Sequence, residues 1–186
     1  MTDDEDALTA KDLVPVSGGT WAGLLFDNPN IGLPTAMTWS FRFSFAEVNR
    51  DYGSSEIFLD VDWLPLPAAS WRAMAGHGVK TLGEPAESSV YFFQHHQYEL
   101  IDLEILEQHG RDIHVRSTLT GDLDQLGIDP IAADAWLRFD GIRVSVSDVN
   151  TPESALTRLQ AFTGIEGLAS SAVAINSAYH FRPVSS

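Results

Sequence analysis

The sequence predicts an α+β protein, mostly β: an antiparallel curved sheet or sandwich built from hairpins, with one C-terminal helix at about 152–163 and a short helix at about 68–75. Three observations carry that expectation. Apolar and polar residues alternate over 39–45 and again over 57–63, the period of a half-buried strand. Gly110 and the pair Asp140-Gly141 stand between apolar runs, where hairpin turns are expected. One stretch alone, opened by Thr151-Pro152-Glu153, has a cap oxygen, a first-turn proline and an acid at the positive end of a helix.

A chain of 186 residues suits one domain. Ten Phe, five Trp and an apolar share of 44% supply enough core to exclude bulk disorder. Cysteine is absent, which removes disulfides, thiolate zinc sites and cysteine nucleophiles. Asp3, Asp4, Glu5 and Asp6 occupy the place where a signal peptide carries basic residues, and no apolar run reaches membrane length. A soluble, cytoplasmic protein is expected. Residues 1–19 read as a mobile acidic tail and joint ending at Ser17-Gly18-Gly19, and residues 20–186 as a single β-rich domain.

Along that domain, residues 21–26 form the first apolar stretch, and a loop follows through Pro29, Gly32 and Pro34. Trp39, Phe41, Phe43 and Phe45 share one face of a strand, and Ile57, Leu59, Val61 and Trp63 one face of the next. Paired as a hairpin, these strands bring Arg42 near Asp60. Pro65 and Pro67 end the second strand, and the helix-forming residues 68–75 run to Gly76. Strands are then expected over 90–93 and 97–107, with a bend at His95-His96.

The register of the next hairpin follows from keeping apolar residues on one face. A three-residue loop of Gln108, His109 and Gly110 sets Ile105 against Ile113, Leu103 against Val115, Glu104 against His114 and Asp102 against Arg116. A two-residue Asp140-Gly141 turn sets Phe139 against Ile142 and Leu137 against Val144. It also sets Trp136 against Ser145 and Arg138 against Arg143, a like-charged pair that needs an acidic neighbour. Leu156, Leu159 and Phe162, with Ala155, form the buried stripe of the helix. Val173, Ile175, Tyr179 and Phe181 suggest a last strand.

Of the candidate chemistries, a metal set of His95, His96, Glu99 and His114 has the right donors, but neighbouring strand residues point to opposite faces. Asp60 and Asp62 share a face because any acidic amphipathic strand places them so. Asp122, Asp124 and Asp129 lack calcium-loop spacing. Nucleophile-elbow, phosphate-loop and dinucleotide motifs are missing, so no cofactor is expected.

Charge is the remaining signal. Acids number 26 and bases 11, a net charge of −15, which disfavours nucleic acid and anionic membrane. Residues 1–134 hold 22 acids and 7 bases, while residues 135–186 hold four of each. The expected function is a non-catalytic acidic binding protein that neutralises a basic protein partner, with Asp60, Asp62, Asp102, Glu104, Trp136, Arg138 and Arg143 as its binding residues. The alternative is a small-ligand-binding or metal-dependent enzyme built on the histidines and glutamate of 95–114.

Overall fold

The computed structural model of the protein describes residues 7–83, 85–171 and 178–184. Ten strands form one sheet: β1 (Thr20–Asn28), β2 (Leu33–Arg50), β3 (Gly53–Leu64), β4 (Gly78–Leu82), β5 (Glu87–Phe92), β6 (Gln94–His109), β7 (Asp112–Asp122), β8 (Ile131–Ser145), β9 (Leu168–Ser170) and β10 (Tyr179–Pro183). One helix, α1 (Pro152–Gln160), lies between β8 and β9. It is shorter than expected and is followed by two strands, so it does not end the chain. Val173 and Ile175 of the expected last strand lie outside the described residues.

The sheet is neither open nor a sandwich. Strands β1, β2, β3, β5, β6, β7 and β8 pair in that order, and β8 pairs back with β1, closing a barrel of seven strands. Direction alternates at each antiparallel pairing, and an odd ring cannot alternate all the way round. The closing pair must therefore be parallel, as β1 and β8 are. Two short strands lengthen the wall. β4 continues beyond β5 along β6, and β10 pairs β8 beyond the point where β7 starts.

Large side chains fill the interior: Trp21, Trp39, Phe41, Phe43, Ile57, Leu59 and Phe181 are each at most 1% exposed. Residues expected to form a helix at 68–75 instead cross the upper end of the barrel as a loop. Their backbone bonds at long range: Gly76 N–H donates to Ile105 (2.8 Å) and Gly164 N–H to Ala69 (2.9 Å). Gln108 adds to this, donating to the Trp71 carbonyl and accepting from Met74 N–H, each at 2.8 Å. Local helix propensity loses because Trp71 and Met74 plug the barrel, and tertiary burial outweighs it.

The lower end is closed by the segment before β1. Leu8 is buried, Pro15 bridges Phe45, and Asp12 pairs with Arg50 at 2.9 Å. In the segment expected as a mobile tail, Leu8 and Gly19 are buried and Val14 and Val16 hydrogen-bond to β2, while residues 9–11 and 14–18 are exposed; residues 1–6 lie outside the described residues. Four connections share this end: the entry to β1, the β2–β3 turn, the β5–β6 turn and the loop 123–130.

Three local expectations are corrected. β5 and β6 turn at Phe93, not at His95-His96. The β6–β7 hairpin turns on Gly110 (φ 62°) and Arg111, pairing Ile105 with Val115 and Glu104 with Arg116. This register is displaced by two from the expected one, so the inward and outward faces survive, while a bulge at Leu106 turns Gln108 toward the 71–74 loop. Asp140-Gly141 makes no hairpin at all. β8 runs straight through it, with a bulge between the Phe139 and Gly141 pairings to β1.

Candidate functional site

With the interior filled, surfaces for binding lie on the outside wall and the two ends. On the wall, registry brings three small residues into one row. Ser40 stands opposite Ala22, and Ala22 opposite Gly141. Bulkier rows flank it: Asp60, Arg42 and Thr20 on one side, Leu24 and Arg143 on the other. The result is an open groove of about 390 Å³ across β3, β2, β1 and β8.

Arg42 lines that groove and pairs with Asp60, as the strand alternation led one to expect. Its Nε and Nη2 donate to the two carboxylate oxygens at 2.7 and 2.9 Å, and its guanidinium lies 4.8 Å from the Phe58 ring centre. Asp62, next along the outer face, has no cation at ion-pair distance among the described residues and is hydrogen-bonded with Ser40. Burial, with Asp60 adding to it, pushes its carboxyl above the ordinary range. A bulge in β3 then overturns the expected burial of Trp63. The residue sits at φ 57° and is 42% exposed, while Leu64 takes the inward position.

At the other wall, Arg143 carries no ion pair among the described residues, whereas Asp140 is held by Arg182 at 3.4 Å. His180 is buried over Gly141 and 3.9 Å from Asp140; burial holds its imidazole below the usual histidine range.

The other expected binding residues lie elsewhere on the wall. Asp102 pairs with Lys80 at 3.3 Å, and Glu104 stands opposite Arg116, whose Nε donates to Asp134 at 3.2 Å. Arg138 does not face Arg143; the acid that neutralises it is Asp112, at 3.4 Å, directly opposite on β7. Trp136 is 44% exposed, stacked with His114 and in tilted ring contact with His109. His114 also hydrogen-bonds Asp134, which holds that carboxyl below its ordinary range.

The histidines and glutamate of the metal alternative are not brought together. His95 contacts Ser89 and Tyr91, His96 is buried facing the Phe92 carbonyl, Glu99 lies against Gly121, and His114 belongs to the Trp136 group. Among the described residues, no three His, Asp or Glu side chains converge on a metal-sized site.

At the lower end, turns separated in sequence bring acids to one rim. Glu47, Asp51 and Glu56 flank the β2–β3 turn, Asp122 ends β7, and Asp124 and Asp129 occupy the loop that follows. The last three also hold backbone: Asp129 accepts from Gly121 and Asp122 N–H, Asp122 from Gly127 and Asp124 from Gln97. Tyr52 and Leu123 are each 59% exposed on the same rim, with the Tyr52 ring 4.7 Å from that of Phe93.

No family model, curated protein or solved structure matches the chain. The fold is a seven-stranded barrel with a filled interior. Among the described residues, no helix is long and apolar enough to cross a membrane.

Proposed function

We propose that this is a non-catalytic binding protein that docks a basic protein partner on the acidic lower rim of its barrel, in the manner of acidic inhibitor and immunity proteins by shared properties alone. The rim carries the reading. Six carboxylates on two connections and the strand ends beside them stand there against Lys11 and Arg50, and Arg50 is already tied to Asp12. Exposed Tyr52 and Leu123 add the apolar and aromatic contacts that anchor interfaces. A rim of one sign also steers an oppositely charged partner and raises its rate of encounter.

The test is capture of partners from native cells at low and high ionic strength, using the wild type, Asp51→Lys/Asp124→Lys at the rim, and Asp148→Lys/Glu153→Lys at the opposite end. The expected partner is a basic protein, lost at high salt and lost with the rim variant but retained by the control. Capture that ignores both salt and the rim charges would overturn the proposal.

A further inference from the structure

The outer-wall groove holds charges that docking at the lower rim does not use. Arg42 and Asp60 satisfy each other at its edge. Beyond them, Asp62 offers a carboxylate that hydrogen-bonds with Ser40 and feels the Arg42 charge without forming an ion pair among the described residues, and Arg143 offers a guanidinium with no ion pair among them. The two stand on opposite walls with a floor of Ser40, Ala22 and Gly141 between them. Trp63 rises beside Asp62 on a left-handed backbone, a conformation that costs a non-glycine residue on the order of 1–3 kcal/mol. Strain of that kind turns an indole into the groove that the strand alternation would otherwise have buried.

We propose that this groove binds a free aromatic amino acid, its ammonium on Asp62, its carboxylate on Arg143 and its ring on the Trp63 indole. Asp62, Trp63 and Arg143 all line this one groove. A volume of about 390 Å³ also lies within the range of small-ligand sites.

Charge selects the class of ligand. A simple anion would meet Asp62 and the field of a protein of net charge −15; a simple amine would leave Arg143 unmatched. A divalent cation would find one carboxylate without an ion pair among the three that line the groove, because both oxygens of Asp60 are engaged by Arg42 and Asp140 is held by Arg182. A zwitterion matches both walls and is neutral overall, so the net charge does not repel it.

The experiment is calorimetric titration of the full chain with L-phenylalanine, phenethylamine and 3-phenylpropionate, which present both charges, the ammonium alone and the carboxylate alone. Phenylalanine should bind at least about tenfold tighter than either analogue, and should alter tryptophan emission in the wild type but not in Trp63→Ala. Arg143→Gln should bring phenylalanine down to the level of phenethylamine, and Asp62→Asn to that of phenylpropionate, each with an unchanged circular dichroism spectrum. Arg143→Lys, which keeps the charge, should retain most of the preference. Equal binding of the three compounds, no saturable binding, or an affinity unmoved by both charge substitutions would overturn the assignment. None of those outcomes touches docking at the lower rim, which uses other residues and another readout.

Discussion

Arg42 and Asp60 face each other across β2 and β3 with both hydrogen bonds of a bidentate pair formed, although Asp60 is 5% exposed and the Arg42 side chain 50%. The carboxylate has given up its water and depends on one partner. Arg42→Ala should therefore destabilise the fold by about 1–3 kcal/mol, below the 3–5 kcal/mol of a fully buried pair because water can re-enter on the arginine side. Adding Asp60→Ala should recover part of that loss. Chemical denaturation of the two single variants and the double variant closes the cycle, and strictly additive losses would contradict the dependence of Asp60 on Arg42.

Gly141 is required by close packing. Its φ is 128°, and a Cβ there would collide with the Phe181 carbonyl oxygen and lie 2.8 Å from His180 Nε2. The groove floor and the attachment of β10 thus depend on one missing methyl group. Gly141→Ala should cost about 2 kcal/mol or more, from strain plus overpacking, and should raise amide exchange in β10 more than in β7. Thermal unfolding together with hydrogen exchange measures both effects.

The same glycine explains why part of the fold was hard to read in the sequence. Asp140-Gly141 is a strong hairpin signal when only neighbouring residues are considered. The glycine in fact meets Phe181, forty positions later, which no local pattern reports. Where the cause is local, the reading carries through: strict alternation on β2 and β3 placed Arg42 against Asp60, and Thr151-Pro152 marked the start of α1, completed by a capping box with Ser154. Parity on β6 and β7 also survived a two-residue slip, because period-two burial fixes faces more firmly than register. Trp63 escaped because a bulge turns one residue and leaves composition unchanged. The acidic rim escaped because its carboxylates come from connections some seventy residues apart, brought to one end only by the antiparallel pairing of β3, β5, β6 and β7. A count of acids along the chain found the asymmetry but not the end of the barrel to which it belongs.

Two aspartates on the wall should respond to pH in opposite ways. Burial raises Asp62 above its ordinary value of 3.8, while the His114 hydrogen bond lowers Asp134 below it. Around Asp62 the folded state holds the proton to higher pH than the unfolded chain, so raising the pH from 3.8 through its folded value costs stability. Asp62→Asn should be neutral or stabilising at pH 7, with that gain shrinking under acid. Asp134 contributes stability above pH 3.8 that is lost as pH falls through its lower folded value, so Asp134→Asn should destabilise at pH 7 and match the wild type in strong acid. Denaturation midpoints measured from pH 7 to pH 3 should therefore separate the variants with opposite sign.

His180 should set a different pH limit. Its imidazole is 5% exposed, packed over Gly141 and opposite Arg143, with Asp140 at 3.9 Å and Arg182 bound to that same carboxylate. Burial disfavours the imidazolium; Asp140 favours it, and the two arginines oppose it, leaving the folded value below 6.5. The unfolded chain then takes up the proton first. Stability attributable to His180 is complete above 6.5 and falls as pH drops from there through the folded value. Because the ring touches the β8 bulge, protonation should loosen β10 before the barrel itself opens. Proton NMR of the imidazole should give a midpoint below 6.5, and His180→Gln should flatten the fall in stability between neutral pH and about pH 5. A midpoint at or above 6.5 would mean that Asp140 outweighs burial, in which case acid would tighten the attachment of β10 instead of loosening it.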